Sequence, residues 1–338
     1  MTTTQLSGTA LDDTLRAHLA DLRIEAEEGL VQVGDRIIEA VDATSLRAKL
    51  SVALYDLWHA GIVGRAGRRA LPRRDTALER GLLAATPHRT APVPGRVGAL
   101  PDGGPAGHGV VEVNRVRVLV AADTVRGLVP GDPVVLALPA ARPRLTPGFF
   151  FVTGSAGGTD AGAVLRLYVH LTAAEHAPQA WRTVLHLLEA RGARYRAKVL
   201  SESSAYPRRD AAVVYLPESS WQHVPELAHA LAGAPGLGES TSVLARRIGP
   251  GLALAWDPTD GRPGERRMSF GQHRSTAVAR GVVRHVRDDA PLHAAVAEEL
   301  TAAGADPAVP ARNLDSPPFP GPDPAGPPDR RADRRSDS

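Results

Sequence analysis

The chain of 338 residues contains no cysteine. Disulfides and thiolate metal sites are therefore excluded, and the composition suits a reducing cytoplasm. Aromatic residues are scarce at 4%, while hydrophobic residues reach 43%. A core built from this composition is mostly Ala, Val and Leu. Long apolar runs are also missing, and the start at Met1-Thr2-Thr3-Thr4 shows no basic segment followed by an apolar one. The expectation is a cytoplasmic protein without a membrane span. A strong excess of one charge is absent too: 40 basic residues face 37 acidic ones. The arginines are scattered apart from short clusters at 65–74 and 262–267, so nucleic acid is not the expected partner. The first cluster reads as solvated surface.

Lysine is the scarcest of the common charged residues. Only Lys49 and Lys198 occur. Arginine stays protonated in a protein, whereas lysine can act as a neutral amine. A lysine kept in an arginine-rich chain marks a position where that difference counts.

What is present divides into four stretches. Residues 1–91 read as a helical N-terminal region. Leu11, Leu15, Leu19 and Leu22 recur at helical spacing behind a possible cap at Asp12 or Asp13. Leu46, Leu50, Leu54 and Leu57 share a face within Ser45–Ile62, and Thr76–Ala85 is again helical. Val31–Val41 is a strand or a short helix. Residues 92–109, rich in Pro and Gly, read as a linker or loop.

Residues 110–305 read as α+β, a mixed and largely antiparallel sheet flanked by helices. Strands are expected at Val110–Ala122, Val134–Leu138, Phe149–Thr153, Val164–Leu171, Tyr195–Ser201, Ala211–Leu216, Val243–Ile248 and Leu252–Trp256. Helices are expected at Ala173–Arg191, Ser219–Leu231, Phe270–Val286 and Pro291–Ala303. Residues 306–338, dominated by Pro, Asp and Arg, read as disordered.

Four places in the α+β region set polar groups on or beside strands. In Arg166-Leu167-Tyr168-Val169-His170-Leu171, alternation puts Arg166, Tyr168 and His170 on one face. The plain alternative is a solvent face. In Arg194-Tyr195-Arg196-Ala197-Lys198, three cations share a face, which suits either a phosphate or a solvated edge strand. The run Ser203 to Asp210 adds Tyr206, Arg208 and Arg209, whose guanidiniums can fork onto phosphate oxygens. Its alternative is a polar turn with Asp210 partnering an arginine. Last, Ser269-Phe270-Gly271-Gln272-His273-Arg274 opens a helix whose N-terminal N–H groups favour an anion, unless the helix is simply capped. Metal spacing is weak: there is no HExxH, and His223 and His229 do not share a helix face. No Gly-x-Ser-x-Gly elbow appears.

Several runs resemble the HopA type III effector family. They are Gly148-Phe149-Phe150-Phe151, Tyr168-Val169-His170-Leu171, Lys198-Val199, the run from Tyr206 to Tyr215, Pro250-Gly251-Leu252-Ala253-Leu254-Ala255, and Ser269 to Arg274. Members of that family also occur in bacterial peptide natural-product pathways, including those of lanthipeptides and thioamitides. A more distant similarity links Tyr168-Val169-His170-Leu171 and Arg196-Ala197-Lys198-Val199 to strands of the phosphothreonine lyases.

The resemblance implies a phosphoserine or phosphothreonine lyase that eliminates phosphate from a phosphorylated precursor peptide, leaving dehydroalanine or dehydrobutyrine. It implies Lys198 as general base and His170 as general acid, with Tyr215 beside them. Arg196, Arg208, Arg209, Tyr206, Tyr168, His273 and Arg274 are implied as phosphate or substrate ligands. Tyr168 stands where the lyases carry lysine. No cofactor or metal is implied, and a separate phosphotransferase-like kinase is the implied partner. The alternative is a non-catalytic phosphopeptide- or partner-binding protein, either an effector or a kinase-activating subunit.

Overall fold

The computed structural model describes residues 10–25, 29–64, 75–99, 106–159, 162–266 and 268–320. The elements in chain order are α1 (Asp13–Ala20), β1 (Arg23–Glu25), β2 (Leu30–Val33), β3 (Arg36–Glu39), α2 (Ala43–Leu54), α3 (Thr76–Ala84), β4 (Thr90–Gly98), β5 (His108–Val113), β6 (Val116–Ala121), β7 (Pro133–Pro139), β8 (Ala141–Thr146), β9 (Phe149–Thr153), β10 (Leu165–Leu171), α4 (Ala177–Ala190), β11 (Arg196–Leu200), β12 (Arg208–Leu216), α5 (Val224–Leu231), β13 (Arg246–Gly249), β14 (Leu252–Trp256), α6 (Phe270–Asp288) and α7 (Leu292–Ala302). The class is α+β with antiparallel pairing, as expected. No helix among the described residues is long and apolar enough to cross a membrane.

The chain forms two compact units. One comprises residues 1–63, 221–232 and 239–338; the other comprises 64–220 and 233–238. The division therefore does not follow the expected boundary at residues 92–109, because segments distant in sequence share a unit.

In the first unit the N-terminal stretch is only partly helical. Asp12 accepts from the Leu15 N–H and starts α1, which buries Leu15 and Leu19. The next residues form the meander β1–β2–β3, so Val31 and Val33 belong to a strand. Asp42 caps α2, whose Leu46, Leu50 and Leu54 point inward; a π-helical turn over Tyr55–Ala60 prolongs it. Helix α6 is buried along most of its length. At Gly281 an added Cβ would lie 2.5 Å from the Val296 Cα, so only glycine permits this approach of α7. β13 and β14 pair antiparallel.

The stretch from Asp306 to Pro320, expected to be disordered, has defined structure. Asn313 is 3% exposed, Ala311 is buried, and Phe319 stacks on Trp256 with ring centroids 5.9 Å apart. Its many polar groups are offset by one buried partner, Arg274, described below. Residues 321–338 lie outside the described set, as does the arginine cluster at 65–74.

The second unit holds two sheets. The smaller has strand order β6-β5-β4-β7. Pro92 and Pro94, expected in a loop, lie in β4. They alternate along the strand and sit where only β7 pairs, so their missing N–H groups can all face the unpaired side. The single strand expected over 110–122 is a hairpin, β5–β6, turned by Asn114 and Arg115 at φ 51° and 66°. The strands of the larger sheet that lie in this unit run β10-β12-β11-β9-β8. One face carries Leu167, Val169, Ala212, Val214, Ala197, Val199, Phe150 and Val152, all buried. Helix α4 supplies Trp181, Val184, Leu185 and Leu188 on this side, and Trp181 meets Phe150 edge-on at 6.4 Å. Burying each Val, Leu or Phe side chain here stabilises the unit by roughly 1.5–3 kcal/mol.

Candidate functional site

The register of the larger sheet defines the opposite face. Arg166 pairs with Tyr215, Tyr215 with Arg196, and Arg196 with Thr153. The next row on that face reads Tyr168, Val213, Lys198, Phe151, Arg142. Two strand spacings separate Tyr168 from Lys198, about 9.5 Å. The solvent-face alternative does not hold for the β10 side: Arg166 is 7% exposed and Tyr168 is 3% exposed.

Each polar group here has a definite setting. The Arg166 guanidinium lies 5.0 Å from the centre of the Tyr215 ring and donates to the Tyr168 hydroxyl at 3.4 Å. Burial raises the Tyr168 pKa well above the ordinary phenol value, with the Arg166 charge acting in the opposite sense. The Lys198 ammonium sits on the Phe149 ring, 4.2 Å from its centroid, and the Arg208 guanidinium approaches the same ring at 5.9 Å. Arg208 also donates twice to Asp210, from Nε and from Nη2, each at 2.7 Å. Both members of that pair are buried, at 8% and 4% exposure.

A β-bulge brings Arg208 and Asp210 here. Val169 pairs with Ala212, but Leu171 pairs with Arg208, so two residues of β10 span four of β12. Counted back from Ala212 by strict alternation, Arg208 and Asp210 would face α4. The bulge turns them toward Phe149 and Tyr168 instead. Arg208, then, is the arginine on this face. Arg209 is half-buried, and burial lowers its pKa. Tyr206 donates its hydroxyl to the Leu200 carbonyl at 2.8 Å, and burial raises its pKa. The turn before it is tied down where the Ser203 hydroxyl donates to Asp75, the cap of α3.

Arg196 is exposed and lies against Gly158. Arg194 precedes β11 and covers Gly157 in the same way. His170 falls within the register shift between Val169 and Leu171 and is half-buried. Its ring rests on Gly238, whose N–H donates to the His170 carbonyl at 3.0 Å. Lys49, the other lysine, is in the first unit and donates to the Glu39 carbonyl at 2.8 Å.

His273 and Arg274 belong to the first unit. The helix end that was expected to favour an anion is closed by its own capping box: Gln272 N–H donates to Ser269, and Ser269 N–H donates to Gln272 Oε1. Arg274 is fully buried. Its Nε donates to the Pro310 carbonyl at 2.7 Å, and Nη2 donates to the Arg312 carbonyl at 3.0 Å and Asn313 Oδ1 at 2.6 Å. Its Nη1 donates to His273 Nδ1 at 2.7 Å. That contact leaves the His273 proton on Nε2, which donates to Asp260 at 3.0 Å. Arg262 grips the same carboxylate and holds its pKa far below the usual value. Burial, then the Arg274 charge, lowers the His273 pKa against the pull of Asp260.

Asp260, Glu265 and His273 bring one ligand atom each within 4.8 Å of one another. A metal ion there would have to compete with Arg262 on Asp260 and with Arg280 on Glu265. With Arg274 on His273 as well, guanidiniums outnumber carboxylates, so the group is an ion-pair network rather than a cation site.

The sequence reading placed Phe149 in a family-like run without giving it a role at the site, and it missed Gly238. Phe149 lies in an aromatic triplet whose alternation turns Phe149 and Phe151 toward the cations. No local signal marks Gly238.

A family model, the HopA1 effector protein family, matches residues 140–312, just over half of the chain. Two solved structures resemble it. The effector protein from Pseudomonas syringae pv. tomato strain DC3000 has a TM-score of 0.46 and 17% identity, covering 80% of this chain and 95% of that one. The effector protein from Pseudomonas syringae pv. syringae strain 61 has a TM-score of 0.43 and 16% identity, covering 78% and 98%. No curated protein matches.

Proposed function

The chain belongs to the HopA1 effector protein family, and on that premise we propose that the cationic face of its larger sheet is a phosphoserine/phosphothreonine lyase site. The reaction is β-elimination of phosphate from a phosphorylated precursor peptide, after a separate kinase has installed the phosphate. The neutral Lys198 amine removes the Cα proton. That electron pair forms the Cα–Cβ double bond, the Cβ–O bond breaks, and His170 donates a proton to the departing phosphate. Dehydroalanine or dehydrobutyrine and inorganic phosphate result.

The observation carrying this reading is the clustering of Lys198 with Arg166, Tyr168, Tyr215 and Arg196 on one sheet face. Arg208 arrives already paired with Asp210. Arg166 and Arg196 add positive charge to the face where a phosphate dianion would bind. His273 and Arg274 are left out, since their nitrogens are engaged with Asp260, Pro310, Arg312 and Asn313.

The second reading is a phosphopeptide- or partner-binding protein without chemistry. The seat of Lys198 on Phe149 favours it, because a cation held on a ring is suited to binding an anion. Incubation with a phosphothreonine peptide, followed by mass spectrometry, separates the two. Lyase action predicts a dehydrated product with wild type, and at least a 100-fold loss (about 2.7 kcal/mol of barrier) in Lys198→Arg with binding retained. Binding without any dehydrated product from wild type sinks the lyase reading and supports the second. Near wild-type elimination by Lys198→Arg removes Lys198 from the base role.

A further inference from the structure

Residues 233–238 run Gly-Ala-Pro-Gly-Leu-Gly and cross the end of β10. Their backbone is pinned on both sides of residue 237. Thr172 donates to the Gly236 carbonyl from its N–H at 2.9 Å and from its hydroxyl at 3.1 Å. Leu237 bridges to Leu171, and Gly238 N–H donates to the His170 carbonyl at 3.0 Å. The segment therefore cannot retreat from β10 without breaking these bonds.

Two imidazoles lie against this backbone, His176 on Gly236 and His170 on Gly238. A Cβ built on Gly238 would press into the His170 ring, 2.3 Å from Nδ1, 2.4 Å from Cε1 and 2.6 Å from Cγ. Carbon atoms in contact need about 3.5 Å. With the backbone pinned and His170 on a bulge, the ring is what must move.

We propose that Gly238 is a positioning residue for His170: its bare backbone forms the seat that sets where the imidazole points. The catalytic meaning of this seat rests on the proposed lyase reading; the seat itself does not. An imidazole displaced by about 1 Å no longer reaches a leaving oxygen well, and losses near 100-fold follow from such misplacement.

The test uses Gly238→Ala in the full chain, with Gly249→Ala as control. Gly249 has nothing within 4 Å of an added Cβ. The first readout is the His170 ring resonance in heteronuclear NMR spectra, assigned through His170→Ala. It is expected to shift in Gly238→Ala and to stay in Gly249→Ala; an unmoved resonance in a folded Gly238→Ala protein overturns the proposal. The second is a double-mutant cycle on phosphate elimination. Gly238→Ala alone is expected to lower kcat at least tenfold with KM near wild type. Added to His170→Ala it is expected to cost nothing more, because the truncated side chain leaves room for the new methyl group. An equal loss in both backgrounds overturns the positioning role. A moved resonance in a protein that eliminates no phosphate sustains the seat and sinks only the lyase reading. If Gly238→Ala fails to fold while Gly238→Ala/His170→Ala folds, the clash is upheld; failure of both refutes it.

Discussion

Arg208 grips Asp210 with two hydrogen bonds of 2.7 Å, two residues apart on the same strand. A regular strand permits this because residues i and i+2 share a face, but only the bulge turns that face toward Phe149 and Tyr168.

Removing Asp210 leaves the Arg208 charge buried and takes away the acceptor of its Nε and Nη2 donors. Asp210→Ala is expected to cost about 3–5 kcal/mol in chemical denaturation. Replacing both partners, in Arg208→Met/Asp210→Leu, is expected to recover part of that loss, since neither member of this pair is then left charged without the other. A double variant as unstable as Asp210→Ala contradicts this account.

Arg274 organises the segment after α7 through a fork that lysine cannot copy. Arg274→Lys is expected to lose roughly 3–5 kcal/mol. It should also expose Arg312 to trypsin under conditions where wild type is not cut there. Identical digestion patterns for the two proteins rule out the tether.

The His273 pKa lies below its ordinary value of 6.5 in the folded protein, chiefly through burial. The unfolded chain therefore takes up a proton that the folded chain refuses. The associated stability is fully present above about pH 6.5 and is lost as pH falls through the lower folded value. Asp260, also lowered, adds a loss only below its ordinary 3.8. His273→Gln is expected to flatten the stability curve between those two values relative to wild type, measured by denaturant midpoints. Parallel curves for the two proteins exclude His273 as the titrating group.

Period-two alternation in the sequence was enough to group Arg166 with Tyr168, and Arg196 with Lys198, because strand geometry alone places such residues. Helix caps at Asp12 and the start of α6 at Ser269 were legible for the same local reason. The meander near Val31, the strand carrying Pro92 and Pro94, and the order around Asn313 were not. Each depends on partners distant in sequence.

The amino-acid order by itself thus determined the class of fold, the faces of the strands and that Arg196 shares a face with Lys198. Tertiary structure alone decided that Arg208 rather than Arg209 joins them, that Arg274 is spent on the chain's own carbonyls, and that Gly238 lies beneath His170. Faces follow from backbone periodicity, which is local. Bulges, buried ion pairs and close backbone approaches follow from register and packing between segments, which no short stretch of sequence encodes.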